Sequence, residues 1–143
     1  MRELRDRVAV VTGGASGIGR GMALAFADAG AHVAIADVED EPARAVAREV
    51  ESRGVRALAL HVDVSDRTSV ETLAEKVYGE FGAAHVLCNN AGVGAGGPLD
   101  QCTDDDWRWV LAVNLDGVVH GLQAFLPRMK RQDGEKHIVN TGS

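Results

Sequence analysis

The run Thr12-Gly13-Gly14-Ala15-Ser16-Gly17-Ile18-Gly19 has the residue types of a turn that holds a phosphate group. Glycines at 13, 17 and 19 remove Cβ atoms, so backbone N–H groups can come close to an anion. The turn follows the apolar run Val8–Val11 and opens an alanine-rich helical pattern from Arg20 to Ala29. The N-terminus of that helix adds partial positive charge where the anion would sit. The spacing is Gly-x-x-x-Gly-x-Gly, not the G-x-G-x-x-G of many dinucleotide enzymes. A mononucleotide P-loop is disfavoured, because Arg20 and Gly21 follow Gly19 where Lys and Ser/Thr are required.

A second chemical signal is Asp37, at the end of the apolar run His32-Val33-Ala34-Ile35-Ala36. It lies about 20 residues beyond the glycine turn, the distance at which an acid meets the ribose of a bound nucleotide. A carboxylate there accepts hydrogen bonds from the 2′- and 3′-hydroxyls and repels a 2′-phosphate. NAD is therefore expected over NADP. Arg20, beside the turn, is a base that could soften this preference.

Other chemistry-bearing residues have plainer explanations. The histidines form no metal-ligand pattern, and His32, His85 and His137 each begin an apolar strand. Asp104-Asp105-Asp106 follows Thr103, a good N-cap, and acids in a first helical turn complement the helix dipole. No metal is expected. Cys88 ends an apolar strand and reads as a small core residue. Cys102 precedes a helix and does not follow zinc spacing with Cys88. The net charge of −6 argues against a nucleic-acid partner. Apolar stretches are interrupted by glycines and stop short of the roughly 18 residues a membrane span needs. No membrane segment or secretory signal is expected, and a cytoplasmic location fits the cysteine usage.

The elements that position these residues alternate. Strands read at Val8–Val11, His32–Asp37, Ala57–Val62, His85–Asn89 and His137–Thr141. Helices read at Gly17–Ala29, Glu41–Ser52, Arg67–Phe81 and Thr103–Lys130. Such alternation predicts an α/β fold, a Rossmann-like doubly wound parallel sheet in strand order 3-2-1-4-5. With 143 residues and no internal linker, it is one domain. The segment Gly92–Pro98 is the one loose stretch. It leaves a strand at the rim where open α/β sheets bind ligands, and its apolar character suits an uncharged substrate.

Two further features lie on that rim: Asp63-Val64 after the third strand and Asn89-Asn90-Ala91-Gly92 after the fourth. With Thr12, Gly13, Gly17, Ile18 and Gly19, they resemble the short-chain dehydrogenase/reductase family, classical type. The resemblance runs along essentially the whole chain, and the Asn-Asn-Ala-Gly segment sets it apart from a methyltransferase. It implies that Gly13, Ser16, Gly17, Ile18, Gly19, Asp37, Asp63, Val64, Asn90, Ala91 and Gly92 hold the dinucleotide, with Asp63 at the adenine ring. It implies hydride transfer between the nicotinamide and a secondary alcohol or ketone. It also assigns Asn114 and Ser143 to the catalytic group. Asn114 shares a helix face with Trp107, Leu111, Val118, Phe125 and Met129 at 100° per residue, which predicts a buried amide that needs partners.

The family's Tyr-x-x-x-Lys lies just downstream of that serine and is not among these residues. Tyr78 has Gly82 four residues on and cannot replace it. The resemblance therefore implies a cofactor-binding part, incomplete at its C-terminus, with the sheet truncated after its fifth strand. The alternative is a dinucleotide-binding module without turnover. The Thr103–Lys130 helix is also apolar off its core stripe, at Trp109, Val113, Leu115 and Val119. That pattern predicts burial against a second subunit, as a homodimer or homotetramer.

Overall fold

The computed structural model describes Met1 and residues 3–142. Its elements run β1 (Val8–Thr12), α1 (Gly17–Asp28), β2 (His32–Asp37), α2 (Asp40–Glu51), β3 (Ala57–His61), α3 (Arg67–Phe81) and β4 (Val86–Asn89). After a 3₁₀ turn at Leu99–Gln101 come α4 (Asp104–Leu111), a π-helical turn (Ala112–Asp116), α5 (Gly117–Arg131) and β5 (His137–Asn140). The five strands form one parallel sheet in the order β3-β2-β1-β4-β5, as the alternation predicts.

The inner strands β1, β2 and β4 bury both faces, which is why they read as continuous apolar runs, and the edge strands β3 and β5 are less covered. Side chains alternate along each strand. Val8 and Val10 of β1 face the core under α3 and α5, together with Leu73, Val77, Phe125 and Met129. Ala9 and Val11 face the opposite core under α1 and α2, with Ala23, Ala27, Val46 and Val50. The small alanines of α1 let it lie close to the sheet, so the glycine turn before it is held against the ends of β1 and β2.

Helix ends follow their local signals. Asp66 caps α3 by accepting from the Thr68 amide, and Gly82 ends that helix at φ 78°. Thr103 and Asp106 form a reciprocal capping box at the start of α4. The Asp104–Asp106 cluster is thus the first turn of a helix, as its place after Thr103 suggests.

The long helix differs from expectation. Instead of one regular helix over Thr103–Lys130, the π turn at Ala112–Asp116 inserts extra backbone and changes which residues face inward. Beyond it, Gly117, Gly121, Ala124, Phe125 and Met129 are buried. Before it, Trp107 and Leu111 are half-exposed, and Asn114 itself is exposed. The single stripe drawn from Trp107 to Met129 does not exist. A second correction concerns hydropathy. The Asp104–Arg131 run of 28 residues has an 18-residue window of mean hydropathy 1.3, enough by length and composition to cross a membrane. Here its α5 part flanks the sheet, packed on β4 and α3.

Adjacent residues of α5 test this packing. Phe125 is fully buried and Leu126 is 41% exposed. Phe125→Ala is expected to lower the unfolding free energy by about 3–5 kcal/mol, and Leu126→Ala by under about 1 kcal/mol. Chemical denaturation with comparable m-values measures both.

Candidate functional site

The carboxyl ends of β1, β2, β3 and β4 surround an open cleft of about 570 Å³. All eleven residues expected to hold a dinucleotide line it: Gly13, Ser16, Gly17, Ile18, Gly19, Asp37, Asp63, Val64, Asn90, Ala91 and Gly92. The glycine turn fits only because Gly13, Gly14 and Gly19 lack Cβ. A Cβ on Gly19 would stand 1.9 Å from the Gly13 carbonyl oxygen, and one on Gly13 would stand 2.8 Å from Ala91 Cα. On the outer side, a Cβ on Gly17 would meet nothing within 4 Å, so the turn's open face belongs to the cleft. Ser16 precedes α1 without a side-chain cap, and the first turn carries no acid. The helix therefore presents uncapped amides to the cleft, the arrangement that receives an anion.

Thr12 ties this turn to the neighbouring strand. Its hydroxyl donates to the Cys88 carbonyl (3.3 Å) and accepts from the amides of Asn90 (3.0 Å) and Ala91 (3.1 Å). Asn90 returns the connection. Its Nδ2 donates to the carbonyls of Thr12 (3.1 Å) and Gly13 (3.4 Å), and its Oδ1 accepts from the Thr141 hydroxyl (3.1 Å). The Asn90 amide is thus committed to backbone and Thr141. It shapes the cleft by fixing both strand ends rather than by offering a spare donor.

Two acids face the same space. Asp37 accepts from the Ala15 amide at 3.0 Å and the Glu39 amide at 3.1 Å, one bond to each oxygen. Each oxygen keeps further acceptor capacity for a hydroxyl. Asp63 Oδ1 accepts from the Ser65 amide (2.9 Å) and hydroxyl (2.6 Å). No Lys or Arg is among the described residues that line the cleft. Arg20 points elsewhere. Its guanidinium binds both carboxylate oxygens of Glu49 on α2, at 3.1 and 2.5 Å. It is not placed to meet a phosphate in the cleft, which corrects the role suggested by its position in the sequence.

Asn114 does not line the cleft but holds its rim. Its Oδ1 accepts from the Val93 amide and its Nδ2 donates to the Val93 carbonyl, both at 2.8 Å. The π turn presents Asn114 to this loop instead of to the core. The expectation of a buried amide was therefore wrong about burial and right that the amide is paired. Ser143 lies outside the described residues. Tyr78 donates to Gln132 Oε1 at 2.7 Å between α3 and the segment after α5, away from the cleft, and burial raises its pKa. Burial also pushes the Cys88 thiol up to about 11, as suits a core residue.

Sequence reasoning missed several lining residues: Val38, Glu39, Val62, Ser65, Val93, Trp109, Val113 and Thr141. Most adjoin residues already singled out, so the strand-end rule reaches them. Trp109 and Val113 carry no such signal, because their facing depends on the π turn.

Comparison with known proteins gives a consistent picture. The family model described as short chain dehydrogenase matches residues 7–143. The C alpha-dehydrogenase of Sphingobium sp. is 40% identical over 144 residues, an alignment that covers 100% of this chain and 47% of that protein. A short chain dehydrogenase/reductase from Burkholderia phymatum, solved in complex with NAD, superposes with a TM-score of 0.96 at 40% identity, covering 100% of this chain and 51% of that one. A metagenomic short-chain oxidoreductase solved in complex with NADP superposes with a TM-score of 0.89 at 38% identity, covering 96% and 62%. The chain thus spans about half the length of the relatives it matches.

The Thr12 connection gives a direct test. Thr12→Val keeps the shape and removes the hydroxyl, leaving the Asn90 and Ala91 amides unpaired. Each group so stranded costs about 1–3 kcal/mol. Denaturant unfolding should show that loss, and Thr12→Ser should recover most of it.

Proposed function

The chain belongs to the short chain dehydrogenase family, and from that membership we propose that it forms the cofactor-binding part of an NAD-dependent oxidoreductase acting on a secondary alcohol or ketone. The observation that carries the cofactor choice is Asp37. Its carboxylate is fixed at the cleft by two amides, Glu39 stands beside it, and no cation lines the site among the described residues. An extra 2′-phosphate would meet acids and no counter-charge. Relatives of this chain have been solved with NAD and with NADP, so family membership alone leaves the choice open.

The cleft suits a dinucleotide on its own geometry. A Cβ-free turn and uncapped helix amides suit the pyrophosphate, Asp37 suits the adenosine ribose, and Asp63-Val64 suits the base. Bound there, the nicotinamide supplies or accepts the hydride. Asn114 fixes the loop at Val93 so that the nicotinamide end of the cleft keeps its shape. Ser143 is assigned to the substrate oxygen by resemblance alone.

A second reading has its own support. The tyrosine and lysine that would move the proton are not among these residues, and Tyr78 is bonded to Gln132 on the flank of the fold. The 143-residue chain would then bind dinucleotide without turning substrate over. Assembly is proposed as a homodimer or homotetramer through the long helix. Trp107, Leu111, Leu115 and Val119 of that run are exposed apolar side chains that a second subunit would cover. Trp109 and Val113 leave that face for the cleft.

Calorimetry should show NAD bound at least about tenfold more tightly than NADP, a difference of about 1.4 kcal/mol. Asp37→Ala should weaken NAD binding and narrow the gap. Equal or tighter NADP binding by the unmodified chain overturns the cofactor assignment. Assayed at 340 nm with NAD and a panel of secondary alcohols, the 143-residue chain should give no sustained turnover, because a positioned proton donor contributes about 10²–10⁴-fold. Sustained turnover would show that the acid/base group lies within these residues.

A further inference from the structure

We infer that Trp109 is the adenine-stacking wall of the cleft, an inference that rests on the dinucleotide reading above. Trp109 is the one aromatic side chain among the described residues that line the cleft, and it is 49% exposed. Its position follows from how the long helix crosses the sheet end. At Gly117 the helix touches Val64, so closely that a Cβ there would stand 2.8 Å from Val64 Cγ2. At His120 it is tied to the same segment, Nδ1 lying 2.8 Å from the Val64 carbonyl oxygen. The helix is thus anchored on the Asp63-Val64 segment, and its preceding turns overhang the cleft. Val113 and Trp109 are four residues apart, share one side of that overhang and both line the cleft.

The two ends of the cleft differ in chemistry. At one end stand Asn90, Gly92, Val93 and Thr141, with Asn114 behind the loop. At the other stand Asp37, Val38, Glu39, Asp63, Val64 and Ser65, and the helix that carries Trp109 is anchored at Val64. A ribose at Asp37 directs its base toward Asp63 and Val64. The base then lies under an indole that is half-exposed without it. A planar π-face over a purine is the interaction that aromatic side chains make with bases regardless of base identity. Trp109 lines the cleft, and Trp107, equally exposed, does not.

The test uses the 143-residue chain with Trp107→Phe, so that Trp109 alone emits. ADP-ribose and AMP should quench its fluorescence with saturation, and ribose 5-phosphate should not. Trp109→Ala should weaken ADP-ribose binding about tenfold or more by calorimetry, the loss expected for one base–aromatic stack, while Trp109→Phe retains most of the affinity. The quenching arm leaves Trp109 in place, so it stands even if Trp109→Ala folds poorly. Calorimetric binding of ADP-ribose with unchanged Trp109 emission overturns the inference and leaves the dinucleotide reading intact. Absence of heat with both NAD and ADP-ribose overturns the dinucleotide reading, and this role with it.

Discussion

The buried hydroxyl of Thr12 joins two strands that are separated by 76 residues of chain, and both lips of the cleft depend on that junction. One donated and two accepted hydrogen bonds use the hydroxyl's full capacity. The glycine turn leaves β1 in a direction fixed by this knot, and the Asn90–Gly92 segment leaves β4 in a direction fixed by the same atom. Asn90 then closes the loop by binding the carbonyls of Thr12 and Gly13. The site is therefore shaped by the sheet's own strand ends. Its position owes little to the loop that follows.

The electrostatics divide along the same geometry. The turn and the start of α1 offer amides, whose positive ends suit a pyrophosphate. Asp37, Glu39 and Asp63 put negative charge around the far half of the cleft, where a nucleoside carries only hydroxyl and amine groups. Cations that would blur this division are tied up on the surface. Arg20 is held by Glu49, and Arg48 by Glu41.

What the sequence made legible was local. The β1–turn–α1 unit, Asp37 at a strand end and the Thr103 cap each depend on a few neighbouring residues, and each is found where the pattern puts it. The strand order follows from crossover handedness once the alternation is read. Side-chain pairings across the fold were not legible. Nothing near Arg20 in sequence points to Glu49, and nothing near Asn114 points to Val93. The long helix misled because regular periodicity carries a face forward at a fixed angle. A wider turn in its middle makes every projection across it wrong, which is why Trp107 and Leu111 were assigned inward and Trp109 was not.

That wider turn makes the helix a two-part shaft with an adjustable joint. The half beyond the joint is locked to the sheet by Gly117, Phe125 and Met129. The half before it is free of the buried core and presents whichever residue the joint dictates. Rewinding Ala112–Asp116 as ordinary helix at unchanged length would rotate the outer half by about 90°. The indole would leave the cleft and another side chain of the outer half would take its place, with the sheet, glycine turn and Asp37 undisturbed. A chain built this way can change the chemistry of one wall of its ligand site in a single discrete step, by altering helix winding instead of side-chain identity.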